Sequence, residues 1–344
     1  MRVLPGPRVL RLFALPAVAA ALLVFLMLFQ ACFRKPDAPG RKPIPTPDAS
    51  LSGPFPNLKT SLRGPLQRKI QETYPDSFRE GVDIFFEARD GWVSDEVYDW
   101  WVSLVDLDGL NPDGAERMFS RISDESPVFP NSHRRRICAV VGASGNLLGS
   151  RYGPLIDSHD LVFRVNRAPR GHFGSDVGHR TTHHVAWPTN LHPELADRKA
   201  ILLWNPLTLH TPDLFDRMLS IAEKEMGWDP ARVRIIHPEF VKYVHEGWME
   251  ERGQFPSTGL IAMMLALHVC DEVDVFGFGA DALGRWDRYY EDDPAVPTDL
   301  HAADSEGELR REMEGNGILK VYLGNRSADG VEFPAFQMDE SEED

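Results

Sequence analysis

The sequence predicts an α/β domain built on a mostly parallel sheet whose faces are covered by helices. Three observations support this. Short apolar runs at Ile137–Val141, Leu161–Val165, Ala200–Trp204, Val233–Ile236 and Val273–Phe278 have the length and unbroken apolar character of interior strands. Segments with apolar residues at helical spacing alternate with them, as parallel strands joined by crossovers require. A chain of 344 residues with 42% hydrophobic content can also bury a large core.

The chain opens on a short basic stretch, 1–11, and then carries 22 uncharged residues from Leu12 to Phe33. As a helix that run is roughly 33 Å long, enough to cross a bilayer. It is longer than the apolar core of a cleaved leader, so it reads as an uncleaved signal anchor with a cytoplasmic N-terminus. Seven prolines in the 21 residues from Pro36 to Pro56 then describe an extended tether, and 34–65 is assigned to this stem. Folded sequence is expected from about Leu66 to residue 330, followed by an acidic tail, 331–344, ending Asp-Glu-Ser-Glu-Glu-Asp.

Charge narrows the function. The net charge is −15, and five basic residues with no acid among the first 35 leave −20 on the remainder. A folded part so acidic is a poor general binder of nucleic acid. Any anionic ligand must be held by local dipoles and a few cations.

Within the expected domain, Ser94 is placed to cap a helix carrying Val97, Trp100, Trp101, Leu104 and Val105 at helical spacing. Asp106 and Asp108 have the Asp-x-Asp form of a metal site, but they end that helix beside Gly109, with no strand to present them. The first interior strand breaks directly into Gly142, Gly145 and Gly149, which leave room for a ligand or phosphate to come close; Ser144 and Asn146 supply polar groups at the same turn. The second strand ends on Asn166. A dinucleotide fold wants G-x-G-x-x-G and an acidic residue closing that strand, whereas this spacing is G-x-x-G-x-x-x-G and Asn166 is neutral, so NAD is not expected. Polar groups at two strand ends point to one crevice at the carboxyl edge of the sheet. His183 and His184 are adjacent on a strand and face opposite ways, which argues against a shared metal.

Leu214–Ala222 suits a helix between two strands. Ser257 and Thr258 precede the apolar run Gly259–Val269, long enough for a buried helix whose first N–H groups favour an anion. Of three cysteines, Cys32 lies in the apolar N-terminal segment, which leaves Cys138 and Cys270; Asn325-Arg-Ser327 is the single glycosylation sequon.

The stretch from Arg135 to Trp187 resembles the long sialylmotif of the animal-type sialyltransferases, most closely the branch forming α2,3 linkages to galactose. Three further segments resemble the other motifs of that family in the expected order: Phe255–Asp281 (FPSTGLIAMMLALHVCDEVDVFGFGAD) the short motif, Arg288–Glu291 (RYYE) the His-Tyr-x-Glu motif, and His301–Glu306 (HAADSE) the His-x4-Glu motif. The resemblance covers about residues 60–324. It implies a single α/β domain with a Rossmann-like sheet, a variant of the glycosyltransferase A architecture, in a Golgi type II membrane protein with a luminal catalytic domain. It implies CMP-sialic acid as donor, galactose-terminated glycans on proteins or lipids as acceptors, no cofactor and no metal. It matches Cys138 and Cys270 to a disulfide, which a luminal compartment permits. Oligomeric state stays open, a homodimer among the options.

Transfer of sialic acid from CMP to a hydroxyl needs a base near neutral pKa, a stabiliser for the leaving phosphate and a cytidine pocket. The resemblance gives the base role to His301, with Glu306 supporting the structure around it. It sets Ser144, Asn146, Asn166, Ser257, Thr258, Gly259, Gly279 and Arg288 on the donor and Phe255 on the acceptor. The chain departs from the family pattern at three positions. Arg288 stands for histidine and neutralises phosphate without titrating. Ala143 stands for asparagine and removes a polar contact; Phe255 stands for tyrosine and removes a hydroxyl. Two other readings are a metal-dependent glycosyltransferase using Asp106 and Asp108, and a lectin-like relative that binds glycan without transfer.

Overall fold

The computed structural model describes residues 58–86, 93–104, 129, 135–187, 190, 200–206, 212–280, 286–291 and 300–324. Eight strands form one sheet: β1 (Phe85–Phe86), β2 (Ile137–Val141), β3 (Leu161–Val165), β4 (His183–Ala186), β5 (Ile201–Trp204), β6 (Val233–Ile236), β7 (Glu272–Phe276) and β8 (Lys320–Tyr322). Their order is β1-β6-β5-β4-β3-β2-β7-β8. Every pairing is parallel except that of the two-residue edge strand β1 with β6. The helices are α1 (Pro65–Thr73), α2 (Asp95–Leu104), α3 (Gly153–Ser158), α4 (Gly174–Val177), α5 (Pro212–Ser220), α6 (Pro238–Tyr243), α7 (Thr258–Val269) and α8 (Ala303–Gly315). From β2 the chain winds outward through β3 to β6, then returns across β2 to β7 on its other side. That reversal at β2 is a topological switch point, where open α/β sheets hold ligands.

The alternation along β2 explains why both faces of the sheet are covered. Cys138 and Val140 belong to the larger core cluster with α7, and Ala139 and Val141 to a second cluster with Leu147, Ile156, Val177 and Phe276. Successive strand residues point to opposite faces, so both faces need partners. Helix α7 is the main one on its side. It is apolar all round and buried at every position but Gly259, and it touches β2, β3, β4, β7 and α1. Each fully buried Leu, Ile or Met there contributes roughly 1.5–3 kcal/mol. A disulfide joins Cys138 on β2 to Cys270 just after α7, with Cα atoms 6.2 Å apart.

The expected elements form with three differences. The folded chain is already in place at Leu58, before Leu66: Lys59 pairs with Asp83, the Thr60 hydroxyl donates to the Arg79 carbonyl at 2.6 Å, and Leu58 and Leu62 pack on the core. Strand β7 stops at Phe276, because Gly277 at φ +70° turns the chain out of the sheet, so Gly277 and Phe278 form its exit. Helix α5 runs on into a wider turn, Ile221–Glu225. Ser94 caps α2 as expected, accepting from Val97 N–H at 3.3 Å; Trp101 is buried, and Trp100 packs partly buried against the core.

Among the described residues no helix is long and apolar enough to cross a membrane. The segment 12–33, the stem up to residue 57, Asp106, Asp108, Asn325 and the tail lie outside the described residues.

Candidate active site

The turns after β2 and β7 are bound to each other through main chain. Gly142 N–H donates to Phe276 O at 2.8 Å and Ser144 N–H to Gly277 O at 3.0 Å. The chains come so close that a Cβ on Gly142 would lie 2.3 Å from Gly277 O. The segment 287–289 is added to the same floor, with Gly145 N–H donating to Asp287 O at 2.7 Å and Tyr289 N–H to Ala143 O at 3.0 Å. Side chains complete the knot. Ser144 Oγ donates to Gly279 O at 2.9 Å and accepts from Asn146 N–H at 3.2 Å, while Asn146 Nδ2 donates to Ala280 O at 3.1 Å.

Above this floor opens a cavity of about 520 Å³. The carboxyl ends of β2, β3, β4 and β7 contribute Ser144, Asn166, Trp187 and Gly279. Asn166, at φ +49°, accepts through Oδ1 from Trp187 N–H at 2.8 Å and through its carbonyl from His184 Nε2–H at 2.6 Å. His184 thus acts from outside the cavity. His183 stacks on Phe163 on the other side of the strand, so the two histidines do not converge. Among the described residues no group of three or more His, Cys, Asp or Glu side chains is arranged to hold a metal.

The opposite wall is built from α7 and α8. Ser257 caps α7, its Oγ accepting from Leu260 N–H at 3.1 Å. It also donates through N–H and Oγ to the two carboxylate oxygens of Glu306, at 2.7 and 2.6 Å. Glu306 therefore clamps the start of α7 onto α8; burial pushes its carboxyl above the usual range, against the pull of the Ser257 hydrogen bonds. The N–H groups of Thr258 and Gly259 have no acceptor among the described residues and stand at the positive end of the helix dipole, facing the cavity that both residues line.

His301 lies at the entry to α8. Its Nδ1 is 3.0 Å from Phe255 O, and a carbonyl only accepts, so Nδ1 carries the proton and the neutral ring keeps its lone pair on Nε2. The Phe255 ring packs edge-on against His301 at 5.1 Å and stacks on Trp187 at 5.6 Å. An imidazole with an available lone pair, an aromatic shelf and a cluster of uncommitted N–H donors can together remove a proton from a hydroxyl while an anion departs.

The cavity brings together Ser144, Asn166, Phe255, Ser257, Thr258, Gly259, Gly279, Arg288 and His301. Asn146 does not line the cavity; it is spent on the knot of turns in the floor, with Oδ1 buried and unpartnered. Arg288 lines the cavity, and its Nη1 is held 3.0 Å from Glu291. Sequence reasoning missed Arg310, which also lines the cavity from α8. Its spacing of four from Glu306 was the available signal, since i and i+4 share a helical face.

The family model described as Glycosyltransferase family 29 (sialyltransferase) matches residues 86–318. The human CMP-N-acetylneuraminate-beta-galactosamide-alpha-2,3-sialyltransferase 1 is 34% identical over 280 residues, covering 75% of this chain and 80% of the relative. The mouse CMP-N-acetylneuraminate-beta-galactosamide-alpha-2,3-sialyltransferase 2 is 37% identical over 245 residues, covering 67% and 70%. A crystal structure of a mammalian sialyltransferase in complex with Gal-beta-1-3GalNAc-ortho-nitrophenol superposes with a TM-score of 0.64 at 29% identity, over 73% of this chain and 93% of that one.

Proposed function

Because the chain belongs to glycosyltransferase family 29, the sialyltransferases, we propose that it transfers sialic acid from CMP-sialic acid to the 3-hydroxyl of a terminal galactose, in Galβ1-3GalNAc-type glycans of proteins or lipids. The relatives, named beta-galactosamide-alpha-2,3-sialyltransferases, and the Gal-beta-1-3GalNAc group in the similar crystal structure support that acceptor. His301 Nε2 takes the proton of the attacking hydroxyl. The new bond forms at the anomeric carbon as the bond to phosphate breaks on the opposite face, so the product is inverted. The charge left on CMP is met by the N–H groups of Thr258 and Gly259 and by the permanent charge of Arg288. The observation that carries this reading is the hydrogen bond from His301 Nδ1–H to Phe255 O, which leaves Nε2 basic within the cavity that holds those donors.

The transfer needs no metal in this scheme. The uncharged segment Leu12–Phe33 supports a type II anchor that would hold the domain in the Golgi lumen. The test is incubation of the full chain with CMP-sialic acid and Galβ1-3GalNAc, with and without EDTA, and product linkage read by NMR. An α2,3-linked inverted product formed equally under both conditions is expected. CMP-sialic acid left intact, or turnover abolished by EDTA and restored by manganese, would overturn the scheme.

A further inference from the structure

Arg310 is a cation in the cavity wall with no ion pair among the described residues. It stands in α8, one turn beyond Glu306 and on the same face. Its guanidinium lies against the bare Cα at the exit of β7: a Cβ built on Gly279 would come within 2.9 Å of Arg310 Nη2. Gly279 is held at φ +89°, and its carbonyl accepts from Ser144 Oγ and not from Arg310. Both oxygens of the neighbouring Glu306 accept from Ser257, and Glu306 acts on Arg310 through its charge and not through a hydrogen bond. Among the described residues Arg310 makes no hydrogen bond or ion pair. Arg288, across the cavity, differs in this respect, being bound to Glu291.

Half-buried charge is costly unless it finds a counter-charge. Burial, with Arg311 nearby, holds the Arg310 guanidinium below the usual arginine range, against the pull of Glu306 and Glu314. Arginine nonetheless stays charged at working pH and presents a planar fork that fits the paired oxygens of an oxyanion. CMP-sialic acid carries two such groups on its anomeric carbon: the phosphodiester, joined through oxygen, and the carboxylate.

We propose that Arg310 is a donor-binding residue, its guanidinium taking the paired oxygens of an anionic group of the nucleotide sugar beside Gly279. The inference rests on CMP-sialic acid being the donor. It assigns the donor's charge to three separate sources, the start of α7, Arg288 and Arg310, of which Arg310 alone reaches the cavity without an ion-pair partner among the described residues.

Cytidine, CMP and CMP-sialic acid are titrated by calorimetry into the full chain, wild type and Arg310→Ala, Arg310→Gln and Arg310→Lys, at low and raised salt. Thermal melts identify any variant that has lost its fold. Losing a charge-assisted hydrogen bond should weaken binding about 10- to 100-fold. If Arg310 serves the phosphate, CMP and CMP-sialic acid weaken together and cytidine does not. If it serves the carboxylate, CMP-sialic acid alone weakens. Either pattern, with partial rescue by lysine and a shallower salt dependence in the uncharged variants, supports the proposal. Unchanged affinity for all three probes, or equal weakening that includes cytidine, overturns it. Wild type that binds none of the probes would instead remove the donor assignment itself.

Discussion

The floor of the cavity and its α7–α8 wall are made in different ways. The floor is main chain: glycine turns after β2 and β7 and the strip 287–289, tied by short N–H to carbonyl bonds. The wall is mostly side chain: His301 fixed on Phe255 O, Glu306 clamping Ser257, and Arg310 facing inward, beside the N–H groups that open α7. A floor of this kind recognises shape and tolerates few changes, because a single Cβ would strike backbone. In the proposed scheme the wall takes the proton and meets much of the donor's charge, so its changes should act on rate or on recognition of anions. Shape recognition in the floor and proton transfer in the wall should thus be separable by mutation even though both regions face one cavity.

The largest expected effect breaks the tie between the regions. The disulfide anchors β2, which leads into the floor, to the far end of α7, which leads into the wall. It closes a loop over a sequence separation of 132 residues, worth roughly 4–5 kcal/mol on the chain-entropy model. Cys138→Ala with Cys270→Ala should lower the urea midpoint correspondingly; an unchanged midpoint would show that packing of α7 alone holds the two together.

Next comes the wall. His301→Ala should reduce kcat by at least about 10² while CMP binds nearly as before, because the base acts in the transition state. Near-normal turnover would end its assignment.

Acid should act on stability, through two buried histidines that do not line the cavity. His237, capping α6, and His268, buried on α7, are pushed by burial down to about 4 and about 3. Their folded values lie below those of the unfolded chain, near 6.5, so the unfolded state gains protons first as pH falls. Stability is full above about pH 6.5 and is lost below it, by on the order of 2 kcal/mol at pH 5 for His237 alone. Unfolding curves from pH 7 to 5 should show this slope, and His237→Asn should flatten it; a slope unaltered by the substitution would place the acid sensitivity elsewhere.

The smallest effect belongs to the floor. Gly142→Ala forces its Cβ toward Gly277 O, and the shift should weaken CMP about tenfold while kcat stays near wild type. If kcat fell as steeply as in His301→Ala with CMP affinity intact, floor and wall would not be separable.

The sequence by itself determined the parallel α/β frame, because an interior strand or an all-buried helix is written in a local run of apolar residues such as Val233–Ile236 or Gly259–Val269. It also determined the four motif segments and, through the family resemblance, the pairing of Cys138 with Cys270. Only the tertiary structure decided which polar groups face the cavity. Asn146 and Arg310 show the difference. The first sits in the motif but turns into the knot between two loops, and the second lies beyond the motif but enters the cavity from α8. The proton on His301 Nδ1 depends on a carbonyl 46 residues away, and the Glu306 clamp spans 49. The start of the fold at Leu58 likewise rests on contacts with Asp83 and Arg79 rather than on periodicity. Hydrogen bonds between distant segments leave no periodic trace in the chain, because they are set by how strands and helices pack and not by the spacing along any one of them.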